Sequence, residues 1–107
     1  MDVSIESIIF MDDDARVFTE GVDEYWQKHQ QGIPIEPVGY LFEKDGKYYA
    51  GEGRHRTYMY YHRLNQRTMH IAKSEIQLNS MHQFHLQNGC VTIADLYEES
   101  LYLEIEE

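Results

Sequence analysis

The chain has only one cysteine and two prolines, and it has no long apolar run. A single cysteine, Cys90, excludes an internal disulfide and is typical of a reducing compartment. Both prolines lie in the segment 33–37, which therefore cannot be helical. No run approaches the roughly 18 apolar residues that span a bilayer, and no secretory apolar segment lies near residue 1. We therefore expect one cytoplasmic domain without a membrane segment.

Positive charge is scarce as well. The chain contains nine Lys and Arg residues but nineteen Asp and Glu residues, so the net charge is −10. This balance argues against sequence-independent binding to nucleic acid, which needs clustered Lys and Arg. Yet more than half of the nine basic residues lie between residues 53 and 74, where there is no Asp or Glu. A compact group of basic residues on an acidic protein suits a small anion such as a nucleotide, although a solvated basic helix face gives the same sequence pattern.

The basic window begins in the motif GEGRHR, residues 51–56. A tight-turn sequence, Lys44-Asp45-Gly46, predicts a hairpin between strands 38–43 and 47–50, which leads straight into the motif. After the motif, Thr57, Tyr60, Tyr61 and Leu64 have helical spacing. We expect these four side chains to face the core, and the following five to share the opposite side: His55, Arg56, Met59, His62 and Arg63.

The chemistry of this motif favours an anion. Two glycines at a strand-to-helix junction let the backbone approach a ligand, and the first turn of a helix offers unpaired N–H groups. Arg54, His55 and Arg56 would lie in that turn, where the helix dipole disfavours cations, so bound phosphate is a physical reason for their presence. The alternative is a Gly-rich turn followed by solvated basic residues.

The other elements follow from periodicity and capping signals. Residues 3–10 alternate as a strand. A helix capped by Thr19 and ending near Gly32 has an apolar stripe formed by Val22, Tyr25, Trp26 and His29. On this stripe we expect His29 to be a packing residue. We also predict an edge or entering strand over 35–42, a left-handed cap at Asn65 and a strand over 68–72 with Met69 and Ile71 inward. A short helix capped by Asn79 or Ser80 should run through Gln87. A second helix capped by Thr92 should contain Ile93, Leu96 and Tyr97, and the tail over 101–105 is a strand or the end of that helix.

Several residues outside the motif bear on chemistry. Asp12-Asp13-Asp14 can hold a divalent cation or form a solvated turn, and Arg16 beside them is an ion-pair member or an arm toward an anion. His82 and His85, three residues apart on a short helix, can ligate a metal with a third ligand from another segment, but no cysteine pair or HExxH pattern supports this. We therefore assign no metal ligands. Cys90 has no adjacent base and is not assigned as a nucleophile.

The element order and the motif resemble the ParB/sulfiredoxin superfamily over about residues 3–76. The most specific part is GEGRHR, placed after Tyr48-Tyr49-Ala50 and before Leu64-Asn65-Gln66. The resemblance implies a small α+β core with a mixed sheet and packed helices that binds nucleotides. It also implies phosphate-binding roles for the motif glycine, glutamate and arginines: Gly51, Glu52, Arg54 and Arg56.

The sequence departs from the superfamily at one chemically decisive position. Sulfiredoxin-like members have a His-Arg pair, matched here by His55-Arg56, preceded by a catalytic cysteine. Arg54 occupies that cysteine position, so the sulfiredoxin reduction of sulfinic acid is not implied. The DNA-binding and dimerising regions of full chromosome-partitioning ParB proteins are also not among these residues. The resemblance therefore indicates a pocket and leaves the activity open.

We predict an α+β fold with a core over residues 1–76 and a C-terminal helical extension over 77–107. The leading hypothesis is a domain that binds the phosphates of a nucleoside triphosphate, ATP or CTP, with NTPase or phosphotransferase activity. Glu52 would hold Mg²⁺ or act as a base, or would instead be a structural carboxylate paired with Arg54 or Arg56. His55 is the second catalytic candidate. The predicted cofactor-binding residues are Gly51, Gly53, Arg54, Arg56, Thr57 and Arg16.

Two other functions fit the sequence. The first is a non-catalytic phage or defence accessory or inhibitor, whose acidic surface mimics nucleic acid or binds a basic protein. The second and weaker one is a nuclease or DNA-associated subunit, which the net charge disfavours unless a partner supplies a basic domain. In every case we expect no membrane partner.

Overall fold

The structure is a computed structural model that describes residues 2–36, 41–71 and 78–101. The α+β prediction is confirmed, because short strands alternate with three helical segments. The elements are β1 (Asp2–Ser4), a 3₁₀ turn (Ile5–Ser7), β2 (Ile8–Phe10), β3 (Arg16–Phe18), α1 (Thr19–Gln30), β4 (Leu41–Lys44), β5 (Lys47–Ala50), α2 (Arg54–Tyr58) with a π-helical continuation (Met59–Arg63), β6 (Thr68–His70), α3 (Ser80–Asn88), β7 (Val91–Thr92) and β8 (Tyr97–Glu99).

The largest sheet is mixed and has the strand order β4-β5-β2-β7. Its two central strands, β2 and β5, are parallel, with Phe10 opposite Ala50, while β4 and β7 are antiparallel to their neighbours. The amide of Met11 donates to the carbonyl of Ala50 at 2.9 Å and extends this pairing. Because β2 and β5 are parallel, the segments that follow them begin at the same edge of the sheet.

Two smaller strand pairs flank this sheet. β1 pairs antiparallel with β6, and β3 pairs parallel with β8. The strand predicted over residues 3–10 is therefore two strands in different sheets. A 3₁₀ turn separates them, in which the Ser7 hydroxyl donates to the Ser4 carbonyl at 2.7 Å. The turn shifts the alternation, so Ile5, Ile8 and Phe10 are all buried. Period-2 patterning has no signal for such a turn.

Helix α1 matches its predicted range, ending at Gln30 just before Gly32, which has a φ of 76°. Val22 is fully buried, as its stripe predicted. Two details were wrong. Thr19 is not the N-cap, since its hydroxyl donates to Glu98 Oε2 at 3.3 Å and Phe18 holds that position. His29 is exposed, with its ring stacked 6.3 Å from that of Trp26.

The helix predicted after the motif is present, but its faces differ from the prediction. Thr57 is buried as expected, and Asn65 has the left-handed φ of 55° expected for its cap. Met59, which the pattern placed on the outer side, is fully buried. From this residue onward the helix is π-helical, with the Leu64 amide bonded to the Met59 carbonyl at 3.2 Å. A π-helix turns less per residue, so α-helical spacing no longer predicts the faces after Met59. Met59 itself begins this segment and is buried because it packs into the core cluster from the side that the pattern had placed outside.

The C-terminal part is helical over α3 but not beyond it. Asn79 caps α3 as predicted, its side chain accepting from the His82 amide at 2.8 Å. The second helix predicted from Thr92 is wrong, since β7 and β8 occupy this region. The Thr92 amide donates to Asp95 Oδ2 at 2.8 Å, which makes a turn instead of a helix start. Strands β2 and β3 then supply the backbone partners.

The remaining predictions are met in part. The hairpin turn is confirmed, with Asp45 and Gly46 both at positive φ, and Met69 and Ile71 are buried as expected. Of the strand over 35–42, only its last residues belong to β4, and 37–40 lie outside the described residues. So do residues 102–107, which include most of the predicted tail. No helix in the described ranges has the length and apolar character needed to cross a membrane.

Candidate anion-binding site

The GEGRHR motif forms the turn between β5 and α2, at the sheet edge where β2 also ends. Gly53 precedes α2 with a φ of 98°, a conformation that side chains with a Cβ rarely adopt. Crevices outside the carboxyl ends of parallel strands are common ligand sites in sheets with helices packed on them. The turn therefore lies where the architecture favours a ligand.

A cavity of about 320 Å³ opens at this turn. This volume is at the lower end of the range of about 300–1,000 Å³ found for ligand pockets. The cavity is lined by all six motif residues together with Asp12 and Tyr25. The structure thus brings together the predicted residues Gly51, Glu52, Gly53, Arg54, His55 and Arg56.

Arg56 contributes the cation with an unused donor. Its side chain is only 16% exposed, and its Nη2 lies 3.2 Å from Glu52 Oε1. Its Nε is buried and has no hydrogen-bond partner in the described part of the chain. A buried guanidinium donor without a partner is unfavourable, and Arg56 is among the residues that line the cavity.

Arg54 makes contacts that hold a loop in place. Its side chain is 17% exposed, and its Nη1 donates to the carbonyls of Asp14 and Arg16, the latter at 3.2 Å. Its Nε lies 4.0 Å from Asp12 Oδ2. Arg54 therefore ties α2 to the 12–16 loop while one side of it lines the cavity. The positive charge of Arg54 therefore interacts with this loop and would also act on an anion in the cavity.

His55 connects α2 to the start of α1. Its Nε2 accepts a hydrogen bond from the Phe18 amide at 3.0 Å, and its ring stacks on that of Phe18. Burial lowers the pKa of His55, the Arg54 charge lowers it further, and Asp14 opposes the shift. The ring is therefore neutral at pH 7, and the nitrogen that would act as a base is already used by the protein.

Three other predicted residues have different surroundings. Glu52 is 55% exposed and pairs with Arg56, which is the contact expected if it is a structural carboxylate. The Arg16 side chain pairs with Asp14 at 3.1 Å and is not among the residues lining the cavity. The hydrogen bonds from Arg16 hold the pKa of Asp14 below its usual value. Thr57 is fully buried and is not among the residues lining the cavity, and its hydroxyl has no partner within the described ranges.

Asp12 and Tyr25 were not assigned to the site from the sequence. Asp12 was noted only as part of an acidic turn, and Tyr25 only as part of the apolar stripe of α1. Asp12 reaches the cavity because β2 pairs in parallel with β5, and that pairing has no local sequence signal. Tyr25 reaches it because α1 packs beside α2.

The basic window does not form an open basic face in the described residues. Arg63 pairs with Asp23 at 2.7 Å and Glu98 at 3.5 Å. Arg67 stacks on the Tyr61 ring at 4.1 Å and donates to Asn65 Oδ1 at 2.8 Å. Other segments thus supply acidic partners for Arg63, while Arg67 is held by an aromatic ring and an amide, which argues against an extended nucleic-acid surface.

Other parts of the chain offer less for an anion. A second cavity, of about 520 Å³, has no lysine or arginine among its lining residues, which are Glu6, Tyr61, His62, Ile93, Ala94 and Leu96. Cys90 is not part of the anion cavity, and burial raises the pKa of its thiol, which keeps it protonated and unreactive.

Comparisons with family models, with curated proteins and with solved structures give no match for this chain. The ParB/sulfiredoxin resemblance therefore stays a prediction that rests on the motif and the element order.

Proposed function

We propose that the GEGRHR cavity binds phosphate groups of a nucleoside triphosphate, with Arg56 as the principal cation. The observation that supports this most directly is the buried Arg56 Nε without a partner. Phosphate oxygens are good acceptors for a guanidinium because both groups match in geometry and charge. The volume of the cavity suits the phosphates, so the base and sugar would extend toward its mouth.

A phosphate that also uses Arg56 Nη2 would compete with Glu52, which contacts this nitrogen. The two arginines of the cavity are opposed by two carboxylates, Asp12 and Glu52, so the lining itself has little net charge. Glu52 is more than half exposed, so its side chain can rotate into solvent at low cost. An entering phosphate would then replace the Glu52 carboxylate on Arg56.

The two roles proposed for Glu52 predict different effects of replacing it by glutamine. If Glu52 only competes with phosphate, Glu52→Gln should strengthen nucleotide binding. If Glu52 holds Mg²⁺ or acts as a base, the same variant should weaken Mg²⁺-dependent binding or abolish hydrolysis. Titration calorimetry with ATP and CTP, with and without Mg²⁺, and a phosphate-release assay distinguish these outcomes. NTPase or phosphotransferase activity is part of the proposal only in the second case.

Binding itself is tested by thermal unfolding with ATP, CTP, ADP and Mg²⁺. A ligand at 100 times its Kd stabilises a protein by about 2.7 kcal/mol. We expect such a shift in the wild type and its loss in Arg56→Ala. Arg67→Ala is the matched control, because it removes the same charge from an arginine that contacts Tyr61 outside the cavity. An absence of any nucleotide effect, or an equal effect in Arg56→Ala, contradicts the proposal.

A second candidate is the acidic interaction protein. It is favoured by the engagement of Arg16, Arg54, Arg56 and Arg63 in contacts with carboxylates, which leaves the excess acidic charge facing solvent. A basic protein would be the partner, and direct DNA binding would need a basic domain in trans. Failure of every nucleotide to stabilise the chain would make this the better proposal.

A further inference from the structure

A buried histidine lies beside the acidic turn that follows β2. His85, on the last turn of α3, is 8% exposed, and its Nδ1 is buried without a hydrogen-bond partner among the described residues. Buried imidazole nitrogens are ordinarily paired, so an unpaired one indicates a missing partner. The ring packs edge-on against Phe84, and the backbone carbonyl of His85 accepts hydrogen bonds from the Gly89 amide and the Cys90 thiol.

The sheet register brings this histidine to the acidic turn. In the antiparallel β2–β7 pair, Phe10 is opposite Val91. The residues just after Phe10 therefore lie next to those just before Val91, which are the end of α3. As a result, one atom each of Asp12, Asp13 and His85 lies within 4.8 Å of the other two: a carboxylate oxygen from each aspartate and a ring nitrogen from the histidine.

This spacing is close to that of a metal centre. Two atoms bound to one ion at about 2.1 Å each are at most about 4.2 Å apart, so small side-chain rotations suffice to close the group. Asp13 is exposed and can rotate freely, while Asp12 Oδ1 is already held by the Asp14 amide at 2.9 Å. One imidazole and two carboxylates suit zinc and its neighbours, whereas magnesium and calcium prefer oxygen ligands alone.

We propose that Asp12, Asp13 and His85 bind one divalent transition-metal ion of the zinc type, with water in the remaining positions. The sequence offered the acidic turn and the histidines of α3 as separate metal candidates, whereas the structure brings ligands from both segments together. Asp12 also lines the anion cavity, so the ion would lie at the border of that cavity and add positive charge there. The metal site itself does not depend on nucleotide binding.

The test is calorimetric titration of the chelator-treated full chain with Zn²⁺ alone and, separately, with Mg²⁺, in the absence of nucleotide. We expect one Zn²⁺ per chain, with Mg²⁺ binding at least tenfold more weakly. Asp13→Asn and His85→Gln should each weaken Zn²⁺ binding by tenfold or more. Asp13 is exposed, so its variant should fold even if the buried His85 variant does not, and circular dichroism verifies this.

Two matched controls separate these ligands from other acids and histidines. Asp45→Asn makes the same charge change in the β4–β5 hairpin, at the opposite end of β5 from the motif, and His29→Gln changes an exposed histidine of α1. Neither should alter the titration. No Zn²⁺ binding, binding that survives Asp13→Asn unchanged, or equal loss in Asp45→Asn overturns the proposal. Because the titration contains no nucleotide, its failure leaves the phosphate proposal unaffected, and the converse also holds.

Discussion

Replacement of Arg54 by alanine tests whether this arginine holds the 12–16 loop. The guanidinium Nη1 donates to the carbonyls of Asp14 and Arg16. A hydrogen bond from a charged group contributes about 1.5–3 kcal/mol. Here one nitrogen serves two acceptors, and water can reach the carbonyls after truncation. We therefore expect Arg54→Ala to lower the free energy of unfolding by about 2–3 kcal/mol, a large share of the typical 5–15 kcal/mol.

Urea unfolding measures this loss. The single tryptophan, Trp26, lies on α1 and packs against the core, so its fluorescence reports global unfolding. Arg54→Lys should retain part of the loss, because an ammonium can donate to two carbonyls, as Nη1 does, but its side chain is shorter and has no second nitrogen near Asp12. Arg16→Ala is the control, since its half-exposed ion pair with Asp14 should contribute little.

A loss below about 0.5 kcal/mol in Arg54→Ala would refute the reasoning, because that is the usual effect of a surface substitution. A loss in Arg16→Ala equal to that in Arg54→Ala would refute it as well. If the prediction holds, loss of nucleotide binding in Arg54→Ala is ambiguous, since the variant also disturbs the loop that carries Asp12. Arg56 is then the residue whose replacement tests phosphate binding.

Three further predictions concern stability and reactivity. Gly21→Ala places a Cβ 3.0 Å from the His55 ring, which the hydrogen bond from the Phe18 amide holds in place. Urea unfolding should therefore show a lower free energy of unfolding, although Gly→Ala in a helix usually raises it by up to about 1 kcal/mol. A higher free energy of unfolding would mean that the ring moves freely. Burial lowers the pKa of His55 and of His62 in the folded state, so on acidification the unfolded chain binds protons before the folded chain does. The free energy of unfolding should therefore fall as the pH drops below the usual histidine pKa of 6.5. His55→Gln should reduce that fall, and an unchanged pH profile in this variant would show that His55 does not cause it. Burial raises the pKa of the Cys90 thiol, so iodoacetamide at about pH 8 should alkylate the folded protein several-fold more slowly than the urea-unfolded chain, and equal rates would contradict this.

Local chemistry explains the predictions that the structure confirms. The hairpin turn at Asp45-Gly46, the left-handed Asn65 and the Asn79 cap each depend on residues within a few positions along the chain. Such signals are physical properties of the segment itself, so they operate before any tertiary contact forms. The placement of GEGRHR between a strand and a helix follows from them.

The errors arise where a distant partner overrides the local pattern. Thr92 resembles a helix cap, but β2 offers a strand partner and Asp95 closes a turn there. Thr19 has a capping hydroxyl, yet it donates to Glu98 on β8. Met59, which α-helical spacing had placed outside, is fully buried in a core cluster that residues of distant segments form.

By itself, the sequence determined that this protein has a glycine-rich turn with two arginines ahead of a helix, because backbone freedom and charge are fixed by residue type. Only the tertiary structure decided what those arginines do. Arg54 lies against the carbonyls of a loop 40 residues away, whereas Arg56 pairs with Glu52 and has a buried Nε without a partner among the described residues. The meeting of Asp12, Asp13 and His85 likewise depends on strand register, which is set by the packing of the whole chain and by no segment alone.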